Sequence, residues 1–285
     1  MYRKDFNFLL EFFVDNPEYL ICSLIYVVLG ALMLGWGLIG WSLSIVFYAG
    51  TLAIVLSPIG EKVLRIVHDI RPLYTKREKD YLLPIFEEVY QQAKAKNRRL
   101  NLELCVIDQR YVNACAIGRH TIAVTKGAME TFSEDELKAI IGHEIGHIAK
   151  YDTIASLYLF VGNGFYSILI LIATFFLNLL DKAANIANNG VIRAIVSFCR
   201  FLLRFYLFFF MLFINIVTAM NSRRNEYRAD RYSYNLGFGQ EMIEALYLLE
   251  KINLSGKSSI IAKMIASHPI LPKRIAKLEE LDEQN

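Results

Sequence analysis

No charged residue stands between Leu20 and Pro58. A stretch of that length is poorly suited to the amphipathic elements of a water-soluble core, but it can supply two membrane crossings. A second apolar block, over about 154–220, is long enough for two more. The bias extends to the whole chain. Of 285 residues, 55% are hydrophobic and 21% charged, and the mean hydropathy is +0.34, against fewer apolar and more charged residues in a typical soluble domain. The remainder, about 61–152 and 221–285, is polar enough for one soluble domain of ordinary size. A net charge of +3 is too small to argue for nucleic acid as a partner.

The spans are expected over about 20–35, 41–57, 154–180 and 194–220. Gly35, Gly37 and Gly40, beside Trp36 and Trp41, mark the first turn, at a depth where indole rings favour the interface. Pro58 and Gly60 are expected to end the second helix. The apolar run after Arg3 and Lys4 is too long for a signal-peptide core and is expected to be a retained anchor. Basic residues set the orientation: Lys62, Arg65, Arg71, Lys76, Arg77 and Lys79 follow the second span, and Arg223, Arg224 and Arg228 follow the fourth. The opposite-side connections carry only Lys182 and Arg193. Both termini and both soluble segments are therefore expected in the cytoplasm, on a cell (inner) membrane. The parts divide as hairpin 1–60, soluble 61–153, hairpin 154–220 and soluble 221–285. Arg200 and Arg204, one turn apart inside the fourth span, either snorkel near the outer interface or serve a function. The four cysteines form no Cys-x-x-Cys pair; Cys105 and Cys115 read as small buried thiols in a reducing compartment.

In the soluble segments, 78–96 is expected to be helical. Strands are expected at 102–108, 112–117 and 121–124, with a turn at Gly118. Ser133 followed by Glu136 is a capping box, and it announces a helix running at least to Lys150 and able to continue into the third span. Further helices are expected at about 224–236, 240–253, 257–266 and 270–283.

Inside the capped helix stands His143-Glu144-Ile145-Gly146-His147. Histidines four apart project from one helix face. They suit two imidazole nitrogens, each about 2 Å from one tetrahedral zinc. Glu144 is placed to act as general base on a water at that metal and then as proton donor to a leaving amine. Gly146 costs helix stability, by about 1 kcal/mol relative to alanine, which makes sense where something approaches the helix closely. A third ligand is offered by Glu226. Asp230, on the same face, would accept a hydrogen bond from a ligand histidine and fix its tautomer. By themselves these two acids fit a solvated face beside Arg223, Arg224 and Arg228; the upstream histidine pair favours the ligand reading.

These motifs together resemble the HtpX-type membrane metallopeptidases, relatives of the CAAX prenyl endopeptidase. The resemblance covers about 78–280. It rests on Asn113-Ala114-Cys115-Ala116, on His143-Glu144-x-x-His147 followed by Asp152, on Glu226-x-x-Ala229-Asp230, and on Ser267-His268-Pro269 with Arg274. It implies one zinc per chain on His143, His147 and Glu226, with Glu144 as base. It implies that the strand Asn113–Ala116 holds substrate backbone by strand addition. It also implies that His268 and Arg274 steady the oxyanion; alternatively His268 caps a helix starting at Pro269. Where relatives often carry arginine before the glutamate ligand, Asn225 stands here, with Arg224 one place earlier.

The expected fold is a mainly α integral-membrane protein: four transmembrane helices plus a cytoplasmic zincin-like α+β metalloprotease domain with a small β-sheet. The expected function is zinc-dependent endopeptidase activity in quality control of misfolded membrane proteins. Its partners would be protein or peptide substrates and the lipid bilayer. Two other readings remain: an inactive membrane scaffold, whose sign would be a broken ligand set, and a narrow CAAX-type processing peptidase, which usually has more crossings.

Overall fold

The computed structural model describes residues 12–14, 16–55, 57–255 and 271–284. The chain divides into two compact units, Met1–Ala53 with Tyr158–Ala219, and Ile54–Leu157 with Met220–Asn285. Its elements are mostly helical, with one small mixed sheet.

The first unit is built from helices. Helix α1 spans Glu18–Leu34 and α2 spans Leu38–Val55. Between them Gly35 takes a left-handed φ of 102°, and Trp36 packs edge-on against Trp41. The unit also holds most of α7 (Asp152–Ile186) and of α8 (Gly190–Ser233). Several of its hydroxyls meet inside. Ser23 donates to the Tyr19 carbonyl at 2.6 Å, and its hydroxyl meets that of Tyr158 at 3.0 Å. Tyr48 completes the cluster, 2.7 Å from the Tyr158 hydroxyl. Arg200 reaches Asp181 at 3.2 Å and Asn178 at 2.9 Å. Among the described residues no single helix is long and apolar enough to cross a membrane. Leu38–Ile54 and Pro58–Val67 pass that test only together, across a bend of 66°, and Tyr19–Leu32 is a shorter apolar helix.

The second unit opens with α3 (Pro58–Val67), a helix not expected from the sequence. Proline at the first helical position needs no N–H partner, and the Ser57 hydroxyl accepts the Ile59 N–H at 3.2 Å, so Pro58 starts a helix where it was expected only to end one. There follow β1 (Ile70–Pro72), also unexpected, α4 (Lys76–Lys96), β2 (Glu103–Ile107), β3 (Ala114–Ile117) and β4 (Thr121–Thr125). The strand order is β1-β2-β4-β3, with β2 and β4 parallel and the outer pairs antiparallel. The β3–β4 turn needs Gly118, whose φ is +61°. It is tied by Glu61, which accepts the Arg119 N–H at 3.2 Å, and by Thr153, which donates to the Gly118 carbonyl at 2.5 Å.

After α5 (Lys126–Thr131) comes α6 (Glu134–Ala149). Its capping box is formed: Ser133 accepts the Glu136 N–H at 3.2 Å, and Glu136 accepts the Ser133 N–H at 2.7 Å. Helix α6 does not run on into the next. It stops at Lys150, Tyr151 turns left-handed at φ 63°, and α7 begins at Asp152. In contrast, the helix expected to begin near 224 is the end of α8. A π-turn over Tyr234–Phe238, then α9 (Gly239–Ser255) and α10 (Leu271–Asp282), follow it. The helix expected at 257–266 lies outside the described residues. The core joins Leu82, Ile85 and Val89 of α4, Val106, Ile122 and Val124 of the sheet, Leu137, Ile141 and Ile145 of α6, and Met242 and Leu246 of α9.

Candidate metal centre

Helix α6 runs beside the sheet and under the end of α8, and its glycines permit the close crossing. A Cβ on Gly146 would lie 3.0 Å from the Ala229 Cα and from the Tyr232 Cβ. Two turns earlier on α6, the Ser233 hydroxyl donates to the Ala139 carbonyl at 2.7 Å. This approach brings Glu226 over the histidine pair. His143 Nε2 and His147 Nε2 lie 3.2 Å apart. The Glu226 carboxylate lies 3.5 Å from the first and 3.6 Å from the second. Among the described residues this is the group able to hold a metal ion, its donor atoms all within 4.8 Å of one another. Ligands about 2 Å from a tetrahedral zinc stand roughly 3.3–3.5 Å apart, so the donor spacing and the two-imidazole, one-carboxylate chemistry both fit that ion.

Each imidazole is oriented by a carboxylate behind it. His143 Nδ1 faces Asp230 Oδ1 at 2.8 Å, and His147 Nδ1 faces Asp152 Oδ2 at 3.0 Å. The break after α6 is what turns Asp152 back onto His147. The sequence places Asp152 in a motif without giving it a role, because it leaves open whether α6 continues; an acid five residues after the second histidine is the available signal. Arg228 was likewise read only as a basic flank. It donates to Asp152 at 2.5 Å and to Asn225 at 2.7 Å, so Asn225 holds the arginine that holds that second carboxylate.

Arg274, expected at the oxyanion, meets two buried carboxylates. Its Nε and Nη2 donate to Asp230 at 2.7 and 2.5 Å, and its Nη1 meets Glu226 at 2.8 Å. The guanidinium thus spends two donors on Asp230 and forms an ion pair with Glu226, and it is only 3% exposed. Burial alone would raise the Asp230 pKa. Arg274 and His143 outweigh that and hold it below the usual carboxylate range. His268 lies outside the described residues.

Glu144 is 6% exposed and sits between the histidines in sequence. Its charge is felt across at the sheet: burial first, then Glu144, pushes the Cys115 thiol up to about 12. Cys115 therefore stays a neutral thiol, and all four cysteines are free. Strand β3, which carries Ala114, Cys115 and Ala116, is an edge of the sheet. Thr125 N–H donates to the Asn113 carbonyl at 3.0 Å, which makes those two residues a hydrogen-bonded pair. The antiparallel register then turns the N–H and C=O of Ala114 and Ala116 away from β4.

The description "Peptidase family M48" matches residues 76–282. The chain belongs to peptidase family M48. Among curated M48-type relatives, Protease HtpX of Stenotrophomonas maltophilia (strain R551-3) is 33% identical over 210 residues, 67% of this chain and 69% of that protein. The Protease HtpX homolog of Bordetella pertussis is 33% identical over 175 residues, 55% of this chain and 56% of that one. The crystal structure of S. mikatae Ste24p aligns with a TM-score of 0.49 at 19% identity, over 82% of this chain and 56% of that chain. The M48 assignment rests on the family match and the HtpX relatives, and it makes the chain an HtpX-type metallopeptidase.

Proposed function

We propose that this M48 protein is a zinc-dependent endopeptidase anchored in a membrane, with His143, His147 and Glu226 as ligands. The observation that carries the reading is the spacing of those donors, 3.2–3.6 Å, with a carboxylate behind each imidazole. A zinc ion there would act as Lewis acid on a scissile carbonyl and lower the pKa of a coordinated water. Glu144 takes the proton and returns it to the leaving amine. An extended substrate segment adds to the outer edge of β3, bonded to the outward N–H and C=O groups of Ala114 and Ala116; Asn113 and Cys115 face β4 and keep that edge in register. Arg274 positions Glu226 and Asp230, and His268 is assigned to the oxyanion.

The soluble segments 61–153 and 221–285 would form the catalytic domain, with the hairpins 1–60 and 154–220 as its anchor. Support for four crossings comes from the apolar composition of 20–58 and 154–220 and from the first unit's surface. That surface displays Leu24, Leu38, Ile39, Leu171, Phe175, Phe198 and Phe208 to the surroundings, a patch that water would disfavour. The flanking basic residues support a cytoplasmic site on the cell (inner) membrane, where surplus or misfolded membrane proteins would be substrates. The complete ligand set favours the enzyme over a scaffold, and four spans favour a general protease over a narrow CAAX-type peptidase.

Glu144→Gln tests the mechanism. The variant is expected to keep its zinc and lose at least about a hundredfold in kcat. Cleavage at the wild-type rate by a zinc-loaded variant would remove Glu144 from the role of base.

A further inference from the structure

Behind the donor set lies a cavity of about 480 Å³. Its cations are Arg223, Arg224, Arg228 and Arg231 from the end of α8 and Arg274 and Lys277 from α10; Asp230 is its one acid. That acid is already spent on Arg274. Arg228 is turned to Asp152. Among the described residues Lys277 pairs with Glu280 at 3.6 Å, with both side chains largely exposed and the pair hence weak. Arg223 and Arg231 are eight residues apart with Tyr227 midway, so the three share one helix face. Arg223, Arg231 and Lys277 around one cavity repel each other unless an anion sits among them. The remaining wall is apolar, from Tyr227, Leu278 and Leu281. In sequence Arg223 follows the apolar stretch of α8 by one turn, and basic residues at that place meet phosphate headgroups at a bilayer surface.

We propose that this cavity binds the phosphate of an anionic phospholipid headgroup, with Arg223, Arg231 and Lys277 on the phosphate and Tyr227, Leu278 and Leu281 against the glycerol and first methylenes. Arginine offers paired donors matched to phosphate oxygens, and the apolar wall separates a lipid headgroup from a bare anion. The inner end of the cavity is Arg274 and Asp230, whose opposite edges hold Glu226 and His143. The occupant therefore sits one side chain from the donor set. The lipid source rests on the membrane reading above; the anion site itself does not.

The test uses the full chain in a neutral maltoside detergent, with its thermal midpoint followed as dicaproyl phosphatidylglycerol, dicaproyl phosphatidylcholine or inorganic phosphate is added. Phosphatidylglycerol is expected to raise the midpoint and phosphatidylcholine to leave it unchanged. Each of Arg223→Gln and Arg231→Gln is expected to weaken the apparent affinity about fivefold. Lys277→Gln repeats the measurement on a separate helix should an arginine variant fold poorly. Equal stabilisation by inorganic phosphate overturns the lipid assignment and leaves a soluble phosphate as the ligand. No stabilisation, or stabilisation that survives all three substitutions, overturns the site. Zinc content is measured on the same samples, so a failed anion site and a failed metal centre are separate results.

Discussion

In the unit that holds the donor set, Leu82, Val106, Ile122, Leu137 and Met242 are fully buried, and charged groups converge inward on the histidines. In the other unit Leu38, Ile39, Leu171, Phe175 and Phe208 point outward, while hydroxyls of Ser23, Tyr48 and Tyr158 meet inside. The two units differ in the polar groups they draw inside, hydroxyls in the one and paired charges in the other. Apolar surface left outside is tolerated only where the surroundings are themselves apolar. Charge drawn inside is tolerated only where it is fully paired. On the membrane reading proposed above, the outward apolar side chains of the first unit would meet lipid, while the second unit encloses the candidate metal centre.

The comparison breaks most visibly at Arg274. Arg274→Ala leaves Asp230 and Glu226 buried without their cation. We expect a loss of about 3–5 kcal/mol in unfolding free energy and a roughly 10- to 100-fold loss of zinc affinity, read by chemical unfolding and by competition with a chelator. If both values stay at wild type, the buried charge is not paired as described. Next comes Leu171→Asp, which places a charge on the outward apolar face. Insertion should become less favourable by about 2.5–3.5 kcal/mol, measured as the integrated fraction in microsomes, whereas the same change at an exposed site of a water-facing unit would cost little. An unchanged fraction would mean that this face does not meet lipid. The smallest effect is expected from Ser23→Ala, which removes one member of the hydroxyl cluster for about 1 kcal/mol. A larger loss would give that cluster a role beyond packing.

Much of this is legible from local pattern. The capping box at Ser133, the alternation at 102–108 and the four-residue spacing of the histidines depend on near neighbours, and the structure shows α6, β2 and the imidazole pair there. Glu226 is also legible despite its distance in sequence, because a two-histidine helix needs a third ligand. What escapes the sequence depends on long-range contact. The break at Lys150 carries no glycine or proline signal; its observable consequence is that Asp152 meets His147. Strand β1 is three residues long and exists by pairing with β2. The cost of Gly146 is visible in sequence, but its reason, the Ala229 backbone against it, is not. Arg274 reads as part of a motif, yet its partners are acids 44 and 48 positions earlier in the chain, which only the packing of α10 on α8 reveals.

The central claim is that His143, His147 and Glu226 together hold one zinc. It is tested most directly by elemental analysis of the detergent-purified chain, wild type beside Glu226→Ala. The account predicts about one zinc per wild-type chain and close to none in the variant, with both proteins folded. Full zinc occupancy in Glu226→Ala, or none in the wild type after zinc is supplied without chelators, would contradict it.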